Sequence, residues 1–274
     1  MPELPEVETV VRGLEDRILG ARIIETEIQE NKIVGYPKPE LFKSRSEDLI
    51  IEGLKRRGKF IIIKLTGAVE LVIHLRMTGK LLIKDRKEEI AKHTHVIFRF
   101  DDGRDLRFNN VRKFGRVYLV DESSRTQAGN LVQLGPEPLE SDFTLDKFIK
   151  LLANRRGQLK PLLMKQEFIA GLGNIYTDEI LFEAGIAPDR KADSLSETEI
   201  KKLYYAIQEV LQRGIKFCGT TVSDYVNCDG EQGSFQEKLQ VYQKGGESCP
   251  ACSSDIIKEK IGGRATHYCP VCQQ

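Results

Sequence analysis

Apolar residues recur at helical spacing near the N-terminus, at Val7, Val10, Val11, Leu14 and Ile18, and Gly20 stands where such a helix would end. From Arg22 to about Val120 the pattern turns to that of strands. Short runs at 60–63, 69–73, 95–100 and 117–120 are rich in branched and aromatic residues, and Asp102-Gly103 supplies a hairpin turn. No helix-length amphipathic pattern interrupts this stretch. An N-terminal β-sandwich carrying one N-terminal helix is therefore expected over residues 1–122.

Residues 123–142 are polar, contain Gly135-Pro136-Glu137-Pro138, and read as a linker. The helical period then takes over. Thr144 is placed to cap a helix running to about Leu152, a second helix is expected over 159–164, and a third from near Asn174 to before Gly185. Ser196 and Glu199 form a capping box that opens the longest helix, to about Phe217. This gives a helical domain over 143–233. The last stretch, 234–274, reads as short strands and turns around four cysteines. The fold class expected is α+β.

Composition changes this picture little. The 274 residues suffice for about two domains with cores of their own. A hydrophobic share of 40% with 30% charged residues excludes a disordered chain. Glu3, Glu6 and Glu8 stand where a secretory signal would need basic residues, and no apolar run approaches the roughly 20 residues of a membrane span. A cytoplasmic, monomeric protein without membrane contact is expected. With 42 basic and 41 acidic residues the net charge is only +1, so any footprint for a polyanion must be local.

The six cysteines point to metal or burial rather than to disulfides. Cys249-Pro250-Ala251-Cys252 and Cys269-Pro270-Val271-Cys272, sixteen residues apart, match the four-thiolate zinc pattern. Two tight turns with two sulfurs each complete a tetrahedron, and a segment this short needs the ion for folding energy. A closed four-sulfur site leaves no position for water, so one structural zinc is expected. Strands at 256–261 and 266–268 would place Gly262-Gly263-Arg264 at a hairpin tip, where Arg264 suits a phosphate contact. Cys218 and Cys228 have no such spacing and read as buried thiols.

Other stretches carry chemistry more weakly. Gly171-Leu172-Gly173-Asn174 feeds a helix start, where backbone N–H groups and the Asn174 amide suit an anion. Lys55-Arg56-Arg57-Gly58-Lys59 and Arg155-Arg156 with Lys160 are basic clusters that could serve the same end, although such charge runs are usually solvated faces. Met77, in His74-Leu75-Arg76-Met77, and Arg112 with Phe114, in Asn110-Val111-Arg112-Lys113-Phe114-Gly115, would ordinarily be core and surface residues. On adjacent loops they would instead make a wedge able to fill a duplex after a base leaves. Finally, Pro2 follows the initiator Met. Removal of Met1 would leave a secondary amine titrating near pH ~8, hence partly nucleophilic, beside the Glu3 carboxyl. Alone, a proline there signals no more than a processed start.

Taken together these motifs resemble one family. The segment Pro2-Glu3-Leu4-Pro5-Glu6-Val7-Glu8-Thr9, the Arg56-to-Phe60 and His74-to-Met77 motifs, and Val111 to Gly115 stand in its order, as do Leu134 to Pro138, Gly171 to Glu179 and the cysteine segment through Gln273. The chain is similar to the bacterial formamidopyrimidine-DNA glycosylases (Fpg or MutM), which excise 8-oxoguanine and ring-opened purines in base excision repair. The resemblance implies a β-sandwich, a helix–two-turn–helix domain and a zinc finger, with duplex DNA bearing oxidised purines or abasic sites as partner. It implies Pro2 as the nucleophile on C1′ of a flipped nucleotide, followed by β- and δ-elimination. Glu3 would move protons and Lys59 would contact phosphate near the lesion. Met77, Arg112 and Phe114 would form the wedge, and His74, Lys160, Asn174 and Arg264 would grip phosphates. The segment from Thr220 to Tyr225, with Thr221, would close over the extruded base through backbone N–H groups.

Some positions depart from the family pattern. Asn110 stands where relatives often carry Asp, Ser223-Asp224 precede the loop Tyr225 where an Arg is common, and Ala265 follows Arg264 in place of Gly. Two alternatives stay open at this point. An endonuclease VIII-type enzyme for oxidised pyrimidines would share the proline chemistry, although Leu4 and Arg112-Lys113-Phe114 favour the purine branch. A zinc-ribbon module would grip nucleic acid without cutting it, and would form no covalent adduct.

Overall fold

Helix α1 (Leu4–Ile18) starts where a proline can enter a first turn and where Glu3 and Glu6 form a reciprocal capping box. Its buried stripe is Leu4, Val7, Val10, Val11, Leu14 and Ile18. Each such side chain stabilises the packed state by about 2 kcal/mol, so the helix and the residues just before it are firmly seated. The computed structural model describes residues 1–222 and 224–274. Its chain divides into two units, Met1–Gln133 with Phe217–Gln236, and Leu134–Lys216 with Glu237–Gln274.

In the first unit two sheets share a core with α1. One contains β1 (Ile23–Ile28), β6 (Gly79–Asp85), β7 (Thr94–Phe100) and β8 (Arg104–Asn110), in the order β1-β7-β8-β6. The other contains β2 (Val34–Tyr36), β3 (Ile51–Arg57), β4 (Phe60–Leu65), β5 (Val69–His74) and β9 (Arg116–Val120), in the order β2-β9-β5-β4-β3. All neighbours pair antiparallel except β2 with β9. Val7, Leu14, Ile61, Ile63, Phe98, Phe100 and Phe108 are among the residues filling the core.

The strand reading missed helix α2 (Pro39–Ser46). Only Phe42 and Ser46 of its eight residues are buried, too few to print a helical stripe on the sequence. The expected linker is also more ordered than its polarity suggested. Asp121 caps a short 3₁₀ segment, Glu122–Gln127, and a second follows at Leu131–Gln133.

Residues 217–233, expected with the helical region, and 234–236, expected with the finger, belong to the first unit. The cause is packing on α1. Cys228 joins the core there, close enough that a Cβ on Gly13 would lie 2.8 Å from its sulfur, and Arg17 pairs with Asp229 at 2.7 Å.

The second unit holds α3 (Leu145–Leu152), α4 (Leu159–Leu163), α5 (Asn174–Ala184) and α6 (Glu197–Lys216). Thr144 caps α3 by accepting the Lys147 N–H at 3.3 Å, and Ser196 and Glu199 exchange hydrogen bonds at the start of α6. The hairpin β10 (Ile257–Ile261) and β11 (Arg264–Tyr268) turns on Gly262 and Gly263, at φ +55° and +80°. Both angles lie in the region where only glycine is unstrained. Arg264 is thus the first residue of β11 rather than the tip itself. Among the described residues no helix is long and apolar enough to cross a membrane.

Candidate active site

Pro2 and Glu3 are both buried at the foot of α1. The Glu3 N–H donates to Glu6 Oε2 at 2.7 Å, and the Thr220 N–H donates to Glu6 Oε1 at the same distance. Gly219, at φ +80°, sits so close that a Cβ would come within 2.9 Å of the Glu6 side chain. Thr221 ties the rest of the segment together. Its N–H donates to Gln236 Oε1 at 2.9 Å, its hydroxyl donates to the Tyr225 carbonyl at 3.0 Å, and that hydroxyl accepts the Gly233 N–H. Tyr225 is buried, and its hydroxyl reaches the Glu6 carbonyl at 3.4 Å. Burial, then the Glu6 charge, pushes that phenol well above its ordinary range. Thr221 and Tyr225 therefore shape this loop from within. Ser223 lies outside the described residues.

Lys59 is buried at the turn into β4, beside Gly58 at φ +54°. Its basic neighbours are not an open patch, because Arg56 pairs with Glu8 at 2.9 Å and Lys55 with Glu70 at 3.0 Å. His74, buried at the end of β5, packs edge-on against Phe60 with ring centroids 4.5 Å apart. Its Nδ1 accepts the Arg76 N–H at 3.0 Å. Burial, followed by the charges of Arg76 and Lys59, holds the imidazole well below its usual range. A neutral ring with Nδ1 accepting must carry its proton on Nε2, so His74 presents one N–H donor.

The wedge candidates are positioned together. Arg112 stacks over Phe114 at 5.0 Å, and Met77 and Phe114 are 41% and 49% exposed, unusual for such side chains. Met77 and Phe114 line one cavity of about 470 Å³ with Met1, Arg76, Arg116 and Tyr118. Their loops are cross-braced. The Arg112 N–H donates to Thr78 Oγ1, the Thr78 hydroxyl donates to Asn110 Oδ1, and Asn110 Nδ2 donates to the Leu75 carbonyl. This explains Asn at position 110: an amide both accepts and donates here, and a carboxylate has nothing to donate.

In the second unit Lys160, Asn174 and Arg264 come together at the finger. Asn174 Nδ2 and Lys160 Nζ both donate to the Ala265 carbonyl, at 3.0 and 3.1 Å. Arg264 is exposed next to it. Lys160 departs from the phosphate contact expected of it. Its side chain is fully buried, paired with the equally buried Asp178 at 2.6 Å and bonded to Thr266 Oγ1 at 2.8 Å. Burial and an internal carboxylate make it a brace for the finger.

Asp178 and Glu179 escaped the sequence reading. Asp178 Oδ2 accepts the His267 N–H at 3.0 Å, while Glu179 accepts the N–H groups of Gln240, Val241 and Tyr242 at 2.8, 3.0 and 2.8 Å. Burial pushes the Glu179 carboxyl up against those three donors. The available signal was two adjacent acids in an otherwise apolar helix, which must find internal partners.

The four finger sulfurs lie within 4.8 Å of one another, with Cys249 to Cys272 at 3.9 Å and Cys252 to Cys269 at 3.4 Å. Tetrahedral coordination with Zn–S bonds near 2.3 Å requires separations of about 3.8 Å, so the cage fits. The Ala251 and Cys272 N–H groups point at the sulfurs of Cys249 and Cys269. Hydrogen bonds from Ser254 bring the Cys252 thiol down to about 6, whereas burial raises Cys269 and the neighbouring Cys252 thiol raises Cys272, so before a metal binds these three thiols do not ionise alike. Gln273 binds the knuckle to α5's exit through the Cys269 N–H and the Ile186 carbonyl. Of the other cysteines, Cys228 is buried and pushed up to about 11, chiefly by burial, whereas Cys218 is exposed, contrary to expectation. Residue 218 sits at φ +56° on the outer side of the loop, where its side chain meets solvent.

Family models match in chain order: the formamidopyrimidine-DNA glycosylase N-terminal domain over residues 1–117, the H2TH domain of the same enzymes over 134–226, and the zinc finger found in FPG and IleRS over 246–274. With the last of these, the four sulfurs are the cage of one structural zinc ion. The formamidopyrimidine-DNA glycosylase of Pelotomaculum thermopropionicum is 45% identical over 274 residues, covering all of this chain and 99% of that one. That of Enterococcus faecalis is 46% identical over 274 residues, with coverage of 100% and 98%. Among solved structures, a Lactococcus lactis FPG variant in complex with Fapy-dG-containing DNA superimposes with a TM-score of 0.93, at 39% identity over both full chains. The L. lactis Fpg complex with abasic-site DNA gives 0.92 at the same identity, covering 99% of each chain. Agreement at this level from the first residues to the last cysteine leaves one assignment: the chain belongs to the formamidopyrimidine-DNA glycosylase family.

Proposed function

We propose that this protein is a bifunctional DNA glycosylase and abasic-site lyase that removes 8-oxoguanine and formamidopyrimidines from duplex DNA during base excision repair. The observation that carries the reading is the N-terminus itself. Pro2 and Glu3 are buried at a capped helix start, in the same unit as a cavity walled by Met1, Met77 and Phe114. Family membership and the DNA complexes of the L. lactis relative support it.

Once Met1 is removed, the Pro2 amine attacks C1′ of an extruded nucleotide. The glycosidic C–N bond breaks and the base leaves with a proton. Glu3 protonates the ring oxygen, and the opened sugar remains as an iminium on Pro2. Loss of a C2′ proton expels the 3′ phosphate, and a second elimination expels the 5′ phosphate. Lys59, with the Nε2–H of His74, holds a phosphate at the lesion. Arg112 and Phe114, stacked, and Met77 occupy the vacated space in the duplex. Asn174 and Arg264 grip phosphate from the second unit, with Lys160 bracing the finger. Zinc supplies folding energy to the finger and takes no part in the reaction.

Borohydride reduction of the imine tests this directly. Wild type on 8-oxoguanine duplex should be trapped as a covalent adduct and Pro2→Gly should not. Tight DNA binding without an adduct would reduce the protein to a binding module, and preferential excision of thymine glycol would move it to the pyrimidine branch.

A further inference from the structure

Glu6 takes no part in the chemistry just proposed, yet its carboxylate joins the N-terminus to the loop. It is 1% exposed, on the first turn of α1, and its two oxygens accept from two separate segments. Oε2 holds the Glu3 N–H and Oε1 holds the Thr220 N–H, each at 2.7 Å. Bonds this short to a buried carboxylate are charge-assisted and strongly directional. The Glu3 N–H belongs to the peptide that links Pro2 to Glu3, so Glu6 fixes the plane from which the pyrrolidine nitrogen is aimed. From the other side, Gly219 rests on the Glu6 side chain with no room for a Cβ, and the Tyr225 hydroxyl meets the Glu6 carbonyl. Three residues of the loop therefore report to one residue of the helix.

We propose that Glu6 is a positioning residue coupling the backbone at Gly219 and Thr220, and the Tyr225 side chain, to the aim of Pro2 and Glu3. The inference rests on the glycosylase reading above. Displacing a base at C1′ demands an accurate line of attack, and an error of about 1 Å costs on the order of 100-fold in rate. A preformed abasic site has no base to displace, and the ring-opened aldehyde in equilibrium with its hemiacetal condenses with an amine from a wider range of approaches. Base excision should depend on Glu6 far more than strand cleavage at an abasic site does.

The test is Glu6→Gln. The amide keeps the shape but has one acceptor oxygen, so one of the two N–H groups faces an NH₂. Single-turnover excision of 8-oxoguanine should fall about 100-fold. Cleavage of an abasic duplex, and borohydride trapping on it, should stay within about threefold of wild type. Gly219→Ala, which presses on Glu6 from the loop side, should show the same split if Glu6→Gln fails to fold. A purely structural role would lower both activities together with the melting temperature, and either that result or unchanged excision overturns the coupling. Failure of wild type itself to be trapped on abasic DNA would instead overturn the lyase reading, so the two failures are distinct.

Discussion

Lys160→Met separates bracing from phosphate binding. The wild-type ammonium is fully buried, 2.6 Å from Asp178, and donates to Ala265 and Thr266 on the finger. Removing it leaves the Asp178 carboxylate buried without its cation, a loss of about 3–5 kcal/mol. Asp178 retains the His267 N–H, with the His267 ring nitrogen at 3.4 Å, and the Ala265 carbonyl retains the Asn174 amide. Chemical denaturation should show that loss. The double variant Lys160→Met with Asp178→Asn should recover most of it, because no charge then remains buried. Binding distinguishes the two roles through its salt dependence. A lysine that neutralises one phosphate contributes about 0.9 to the slope of log K against log salt. A brace weakens binding by loosening Arg264 and Asn174 while the slope of the stability-restored double variant stays at the wild-type value. If that folded double variant lost about one unit of slope, Lys160 would be a phosphate ligand and the brace would be wrong.

Three further outcomes are expected. Glu3→Gln should retain DNA binding while slowing single-turnover base excision by roughly 100- to 10,000-fold, since the shape is kept and the proton donor lost; equal rates would remove Glu3 from the chemistry. Chelation should unfold the finger, where metal binding supplies about 10–16 kcal/mol of apparent free energy, and weaken DNA binding; unchanged affinity after confirmed zinc loss would refute a structural ion. His74 gives a pH dependence. Its folded pKa lies well below the 6.5 of the free side chain, first because of burial and then because of Arg76 and Lys59. The unfolded chain therefore takes up a proton below pH 6.5 that the folded chain refuses. Its contribution is fully present above pH 6.5 and falls on acidification by up to about 1.4 kcal/mol per pH unit. Urea unfolding at pH 7.5 and 5.5 should show a shallower acid loss in His74→Gln, and identical slopes would dismiss the imidazole.

What the sequence made legible is what its local rules govern. The helices α3 to α6 begin within a residue or so of the caps and turns named for them, because Thr144 and the Ser196 and Glu199 pair act on their own backbone. The zinc cage was legible for the same reason, since two cysteines on one tight turn are a local arrangement. Helix α2 was hidden because a short surface helix with one buried aromatic prints no stripe. The allegiance of 217–236 was hidden because it depends on Cys228 and Tyr225 finding α1, some two hundred residues away in sequence. Among the site residues, chemistry was legible and posture was not: Lys160 reads as a surface cation and stands fully buried.

One device recurs in both units and accounts for much of what was missed. A carboxylate anchored on a helix collects backbone N–H groups from a segment far along the chain: Glu6 from residue 220, Asp178 from residue 267, Glu179 from residues 240–242. Backbone donors are present at nearly every residue, so sequence gives no sign of which ones will be taken. The consequence reaches the electrostatics. Among the described residues six carboxylates are buried (Glu3, Glu6, Asp105, Glu137, Asp178 and Glu179), against three Lys and Arg side chains (Lys59, Arg107 and Lys160). Among the groups left at the surface, bases therefore outnumber acids by more than the formal charge of +1 implies. Three of the buried acids, Glu6, Asp178 and Glu179, hold backbone rather than face solvent, so a near-neutral composition does not by itself argue against a polyanion partner.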